Sequence, residues 1–291
     1  MKYIKAFEDK KMKFAINIDF AQKLIDENLI EIKNRDGNTL LNLASYHANV
    51  SVAKLLIDAG ADVNTKNING NTPLINSCSV HVGDREKEIS IMNKKFKISE
   101  LLIDAGADVN TKNNDKQTAL LEASYYAKSN SIIKLLVDNG ANVHYSTPLI
   151  YSILNGNIEI TKTLIECGVD VNKKTSTGGS SLGRAAYYLR NEQIKLLIDA
   201  GVNLNIQDNH GDTPLIELLQ NYKTTPENRF ETIKILINAG SNVDLRDSDN
   251  KSFFDYISKK YKIKIIEETI LMKNDIYYKW YLEKYSKKYN I

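Results

Sequence analysis

The sequence predicts an all-α solenoid of stacked helix-turn-helix units, and three observations carry that prediction. The phrase LLIDAGADVNTKN occurs twice without change, at Leu55–Asn67 and at Leu101–Asn113, 46 positions apart. Looser copies begin at Leu135, Leu164, Leu196 and Leu236, each with one glycine in register: Gly60, Gly106, Gly140, Gly168, Gly201 and Gly240, at intervals of 46, 34, 28, 33 and 39. A second phrase precedes each copy: DGNTLLNLAS at Asp36, NGNTPLINSC at Asn69, DKQTALLEAS at Asp115, STPLIYSI at Ser146, TGGSSLGRAA at Thr177 and HGDTPLIELL at His210. A period near 33 residues means that each unit is a supersecondary element buried only by its neighbours.

Within a unit, the second phrase opens a helix. In Asn71-Thr72-Pro73-Leu74 the threonine can cap free backbone N–H groups, and proline suits the first helical turn, where its missing N–H costs nothing. Thr147-Pro148 and Thr213-Pro214 repeat the arrangement. The Leu-Leu-Ile phrase closes a second helix: Leu55, Leu56 and Ile57 form its buried face, and Gly60 can take the left-handed conformation that ends it. An Asn/Asp-rich turn such as Asn67–Asn71 then leads into the next unit. Neither helix is long enough to bury its apolar face alone, so the units must stack.

These residues resemble ankyrin repeats, whose T-P-L near the first helix and L-L-x-x-G-A-x-V-N after the second stand here almost unchanged. The resemblance covers Asn34 to Asp247, with about six full units. It implies a domain plan of three parts: an N-terminal capping half-repeat over 1–33, repeats over 34–247, and a C-terminal cap with a basic, aromatic helix over 248–291. Ile18–Lys33 aligns with the second half of a unit, and Asp249–Tyr256 begins another first half. The irregular intervals correspond to an insertion at about 80–99, a shortened turn at about 144–148 and a small insertion at about 222–229. Insertions of this kind map to loops or helix extensions on one face, often the binding face. The family usually places a histidine after T-P-L to link neighbouring units; here those positions hold Asn42, Ile75, Leu121, Ile150, Gly183 and Ile216, a departure from that pattern.

The chain has 39 Lys and Arg against 36 Asp and Glu, a net charge of +3. Residues 251–291 hold ten lysines and five acids, which leaves 29 basic and 31 acidic residues elsewhere. A near-neutral body with a basic tail argues against an extended DNA-binding surface on the repeats. The two cysteines, Cys78 and Cys167, fall in different units, so a disulfide framework is not expected. The opening MKYIKAFEDKKMK lacks the apolar run of a signal peptide, and no window approaches the ~20 apolar residues of a transmembrane segment. The expected location is therefore a reducing cytoplasm; export into a host cell by a route without such a signal stays open.

No catalytic, metal or cofactor site is expected. His47, His81, His144 and His210 sit in separate units, without metal-type spacing, and neither G-x-S-x-G nor a phosphate loop occurs. Gly178-Gly179-Ser180-Ser181 stands where neighbouring units place a turn and reads as one. Recurring acids such as Asp58 and Asp104 read as structural surface positions.

Recognition is expected where units differ. The fifth and sixth residues after the leucine of each T-P-L phrase are Tyr46-His47, Ser79-Val80, Tyr125-Tyr126, Leu154-Asn155, Tyr187-Tyr188 and Gln220-Asn221, so five of twelve positions are tyrosine. The family resemblance implies that these face a concave groove; packing between helices as ordinary half-buried aromatics is the other reading. Tyrosine combines large contact area with a polar tip and little rotamer entropy. The expected partner-binding residues are Tyr46, His47, Tyr125, Tyr126, Tyr151, Asn155, Arg184, Tyr187, Tyr188 and Asn221, with turn tips such as Asp36, Ile68, Asn114 and His210 as a second surface. The expected function is non-enzymatic capture of a protein or peptide. The alternative is a small-ligand or nucleotide site in which tyrosines stack a base and Arg184 and Arg190 hold its phosphate. The tail Ile263–Ile291 has apolar residues at helical spacing; it reads as a cap, and contact with an anionic membrane or RNA is its second reading.

Overall fold

The computed structural model describes residues 17–79, 85–126, 130–221, 224 and 226–257. The tail from 258 onward, the segment before 17 and part of each insertion lie outside them. The described residues form stacked helix-turn-helix repeats, with thirteen α-helices, a short 3-10 turn and a single isolated β-bridge between Arg246 and Ser252. The chain divides into two compact units: Met1–Tyr151 with Glu166–Gly168, and Ser152–Ile165 with Val169–Ile291.

In the first unit, α1 (Ile18–Asp26), α2 (Leu40–Tyr46), α3 (Val50–Asp58), α4 (Pro73–Cys78), α5 (Arg85–Asp104), α6 (Ala119–Tyr126) and α7 (Ser131–Asp138) follow one another. The pattern of starts is set by caps. The Thr39 hydroxyl accepts from the Asn42 N–H in a reciprocal capping box, and the Thr72 hydroxyl accepts from the Ile75 N–H at 3.3 Å behind Pro73. α1 and α3 are capped by asparagine: the Oδ1 atoms of Asn17 and Asn49 accept from the N–H groups of Phe20 and Val52. Each such start satisfies one of the backbone donors that a helix leaves orphaned. At the far end of α3, the Gly60 N–H donates to Ile57 and the Ala61 N–H to Leu56, with Gly60 at φ +84°. This is the left-handed reversal the repeated glycine predicts. Leu24, Leu40, Leu41, Leu56, Leu74, Ile98 and Leu102 are buried between helices.

Turns are built and joined by asparagine. Asn67 Oδ1 accepts from the N–H groups of Asn69 and Asn71, and the Ile68 N–H donates to the Asp36 carbonyl of the preceding turn at 3.1 Å. Asn64, in the ADVN phrase, donates to Gly106 O at 3.2 Å and accepts from the Asp108 N–H at 2.8 Å; Asn110 repeats this with Gly140 and Asn142. The asparagine of the phrase therefore cross-links consecutive repeats. So does Asn42, at the family's histidine position: its amide donates to Thr65 O and Asn71 O.

The inserted residues enter α5, a single helix of 20 residues that continues into the Leu101–Asp104 segment. It is held to α4 by the Ser77–Ser99 hydroxyl pair at 2.7 Å and by Lys95, whose ammonium donates to Asn76 O at 3.0 Å and to Ser79 O.

α8 (Pro148–Leu154) and α9 (Ile158–Glu166) follow, and the second unit continues with α10 (Ser181–Tyr187), α11 (Asn191–Asp199), α12 (Pro214–Leu219), α13 (Pro226–Ala239) and the 3-10 turn Phe253–Tyr256, whose Phe253 and Phe254 are buried. Gln193 is buried and donates to Thr161 Oγ1 at 2.6 Å. The Gly178-Gly179 stretch is a repeat turn: Gly178 has φ +81°, and a Cβ there would stand 2.5 Å from the backbone nitrogen of Asn209 in the next turn. Gly201 has φ +76° but nothing within 4 Å. Gly201→Ala is thus expected to cost about 1 kcal/mol, the conformational penalty alone. Gly178→Ala should cost roughly twice that, because a backbone clash is added. Urea midpoints of the two variants check this; equal losses would refute the role of close approach.

Candidate functional site

The first helices end at the positions where sequence variation concentrates. Tyr46 is the last residue of α2 and Tyr126 the last of α6. In the first unit Tyr46 is 41% and Tyr125 37% exposed, His47 is exposed, and Tyr126 and Tyr151 are half-buried. Tyr125 and Tyr126 lie 4.7 Å apart between ring centroids, and Tyr125 and Tyr151 6.0 Å apart, each pair at 82°. Tyr46 and His47 form a third edge-to-face pair, at 5.1 Å. Such offset, perpendicular pairs are the favourable arrangement of aromatic quadrupoles.

Beneath these rings lies a polar cluster that the sequence did not reveal. Glu122 is buried and accepts from the Ser79 hydroxyl at 2.8 Å. Lys95 is only 5% exposed, and its Nζ lies 5.6 Å from the Tyr46 ring centroid. Burial lowers the Lys95 ammonium from 10.5 to about 8, with Cys78 and Glu122 opposing the shift. Burial pushes the Cys78 thiol from 9.0 up to about 12. A thiol so raised is a poor nucleophile, which gives Cys78 a packing role. The Tyr126 phenol is raised by burial first and then by Glu122, Tyr125 and Tyr46.

In the second unit Tyr188 is 43% exposed and forms an edge-to-face pair with half-buried Tyr187 at 5.0 Å. Asn155 is exposed in the turn after α8. Asn221 is buried and donates to Tyr187 O at 2.7 Å, so its side chain serves the end of α10. Arg184 Nη1 lies 3.8 Å from buried Glu217, and Arg190 donates to Leu154 O at 3.5 Å. Both guanidinium groups assigned to a phosphate in the nucleotide reading are thus engaged by the protein itself. Burial pushes the Glu217 carboxyl from 4.5 up to about 7, with Arg184 opposing and Asp208 and Asp212 adding to the rise.

Among the described residues, no group of His, Cys, Asp and Glu side chains has the arrangement of a metal site, and no helix is long and apolar enough to cross a membrane. Cys78 and Cys167 are both free thiols.

Comparison with known proteins points one way. A family model of ankyrin repeats in three copies matches residues 88–175, and a second, of many copies, matches 24–75. Two ankyrin repeat proteins of Acanthamoeba polyphaga mimivirus are similar: one is 32% identical over 54% of this chain and 28% of its own length, the other 26% identical over 59% and 21%. The chain therefore spans about a quarter of the length of these relatives. The crystal structure of the human ASB11 ankyrin repeat domain superposes with a TM-score of 0.63 at 22% identity, over 77% of this chain and 93% of that one. The ankyrin repeat domain of Bcl-3 gives 0.59 at 23%, over 72% and 93%. At these identities the likeness concerns the fold.

Proposed function

The chain belongs to the ankyrin-repeat family, whose members generally mediate protein–protein interaction, and on that premise we propose that it is a non-enzymatic binding module that holds a protein or peptide against the tyrosines at the ends of its first helices. The observation that carries the reading is the cluster of Tyr125, Tyr126 and Tyr151, together with Tyr46 at the end of α2, with Tyr46 and Tyr125 more than a third exposed at 41% and 37%. Rings supported from below by packed helices are preordered, so little entropy is lost when a partner covers them. Tyr187 and Tyr188 offer a second, smaller contact on the other unit, with the turn tips adding specificity. The nucleotide alternative has less support, since Arg184 and Arg190 already face protein groups, Glu217 at 3.8 Å and Leu154 O at 3.5 Å.

The test is retention of partners from a native lysate by wild type, by Tyr125→Ala/Tyr126→Ala and by Tyr187→Ala/Tyr188→Ala. A partner kept by wild type and released by the first variant, with an unchanged urea midpoint, supports the reading. Removing two central aromatic anchors should weaken binding by at least about 2 kcal/mol, or some thirtyfold. Partners retained equally by all three proteins would refute it.

A further inference from the structure

The inserted helix α5 reaches the tyrosines of the first unit through one buried side chain. Tyr46, Ser79 and Tyr125 hold the same place in three consecutive T-P-L phrases, so in repeat order the serine stands between two exposed rings. Ser79 is 9% exposed and follows directly on α4, a helix of 6 residues. Its carbonyl accepts from the Lys95 ammonium, as does that of Asn76 at 3.0 Å, and its hydroxyl donates to Glu122 of α6 at 2.8 Å. Carbonyls at a helix end lack intrahelical donors, and a cation placed there also meets the favourable end of the dipole. The same ammonium lies 5.6 Å from the Tyr46 ring centroid, within reach of a cation–π contact. Lys95 is thus joined to Tyr46 directly, and to the helix of Tyr125 and Tyr126 through Ser79 and Glu122. The helices α3 and α7 are 9 and 8 residues long against 20 in α5, and Lys95 belongs to the part of α5 that they lack.

We infer that Lys95 is a positioning residue for these tyrosines, so that the insertion serves binding by ordering the rings from beneath. The inference rests on the reading of the tyrosines as a partner-binding surface and adds how that surface is held. At 5% exposure Lys95 is covered by the protein, and it acts through Ser79, Glu122 and Tyr46. A buried polar network of this kind favours one arrangement, because a displaced member leaves a carbonyl or carboxylate unpaired. Among the described residues, the titratable groups that act on the ammonium are Cys78 from α4 and Glu122 from α6, with Tyr46 from α2 beside it. Cys78 keeps its proton up to about 12, well away from the Lys95 step at about 8.

The experiment follows the tyrosine ring resonances of the intact protein by NMR against pH, in wild type, Lys95→Met and Lys95→Arg. The Tyr46 ring of wild type is expected to report a step at about pH 8 that Lys95→Met lacks. Lys95→Met should also shift the Tyr125 ring at pH 7, while Tyr187 and Tyr188 of the second unit stay in place. Lys95→Arg keeps the charge and the donors and should restore the ring positions. The binding probe is the lysate protein that wild type retains and Tyr125→Ala/Tyr126→Ala releases. Lys95→Met should hold it about tenfold less tightly at pH 7, and Lys95→Arg should recover most of that loss. A wild-type Tyr46 ring without the step, an unmoved Tyr125 ring in Lys95→Met, or undiminished binding by that variant each overturns the inference. The wild-type titration and Lys95→Arg still decide if Lys95→Met fails to fold. In any of these failures, release of the partner by Tyr125→Ala/Tyr126→Ala leaves the surface standing, and only its positioning by Lys95 falls. A partner that ignores those tyrosines removes the surface reading, and this inference with it.

Discussion

Lys95→Met should abolish a contribution that raises stability between pH 8 and 10.5 while changing stability at pH 7 far less, because the lost hydrogen bonds offset relief of the burial cost that lowers the ammonium to about 8. The carbonyls of Asn76 and Ser79 lose their donor, and buried Glu122 loses a nearby positive charge. The pH dependence gives the sharper reading. Lys95 titrates at about 8 in the folded chain and at 10.5 in an unperturbed one. Between those values the unfolded chain binds a proton that the folded chain has released, so stability rises with pH by about 1.4 kcal/mol per unit. Cys78 works in the opposite sense: with its thiol raised from 9.0 to about 12, the folded chain keeps a proton the unfolded chain loses, and stability falls over that window. Together they predict a rise from pH 8 to 9, a near-level stretch to 10.5 and a decline above. Cys78→Ala should extend the rise to pH 10.5, and Lys95→Met should remove it. Urea unfolding of the three proteins against pH decides the matter, since differences between variants cancel the background titration of other groups. An unchanged profile in Lys95→Met would show that the ammonium is not the source of the rise.

The contrast between Lys95 and Thr72 explains what the sequence could show. Thr72, Pro73 and Gly60 act within one helix end, and the physics that selects them is local and recurs in every unit. Repetition turns such positions into a visible pattern. The asparagine ladder is half legible: Asn64 and Asn110 stand in the repeated phrase, yet their use as bridges from one repeat to the next appears only when the repeats are stacked. Lys95 lies in an insertion without a counterpart elsewhere in the chain, and nothing in REKEISIMNKKFKISELLID separates it from the lysines around it. The tyrosine pairs were visible because they vary where the frame does not. That variation could not distinguish Asn221, turned inward onto Tyr187 O, from exposed Tyr188. The division into two units, close to Tyr151, was not expected from a continuous run of repeats, although the shortened interval from Gly140 to Gly168 spans it.

Glu217→Gln should raise stability at pH 8 by about 3 kcal/mol and leave it nearly unchanged at pH 4.5. The Glu217 residue is 3% exposed on α12, and Arg184 approaches it only to 3.8 Å, too far for a strong charge-assisted hydrogen bond. Desolvation therefore prevails and the carboxyl titrates at about 7 instead of 4.5. With a raised folded value, the stabilising contribution is complete below 4.5 and is lost as pH rises through 7. The amide carries no charge to desolvate, so the variant should not show that loss. Arg184→Ala removes the group opposing the shift and should move the loss to lower stability at pH 8 and the titration to higher pH. The carboxyl also explains a glycine: a Cβ on Gly183 would stand 1.9 Å from Glu217 Oε1, so the first turn of α10 leaves room for this side chain. Gly183→Ala should accordingly be harmful in the wild type and much less so with Glu217→Ala, a coupling that a double-mutant cycle measures directly. If Glu217→Gln followed the wild-type profile from pH 4.5 to 8, the carboxyl would have to be solvated in solution.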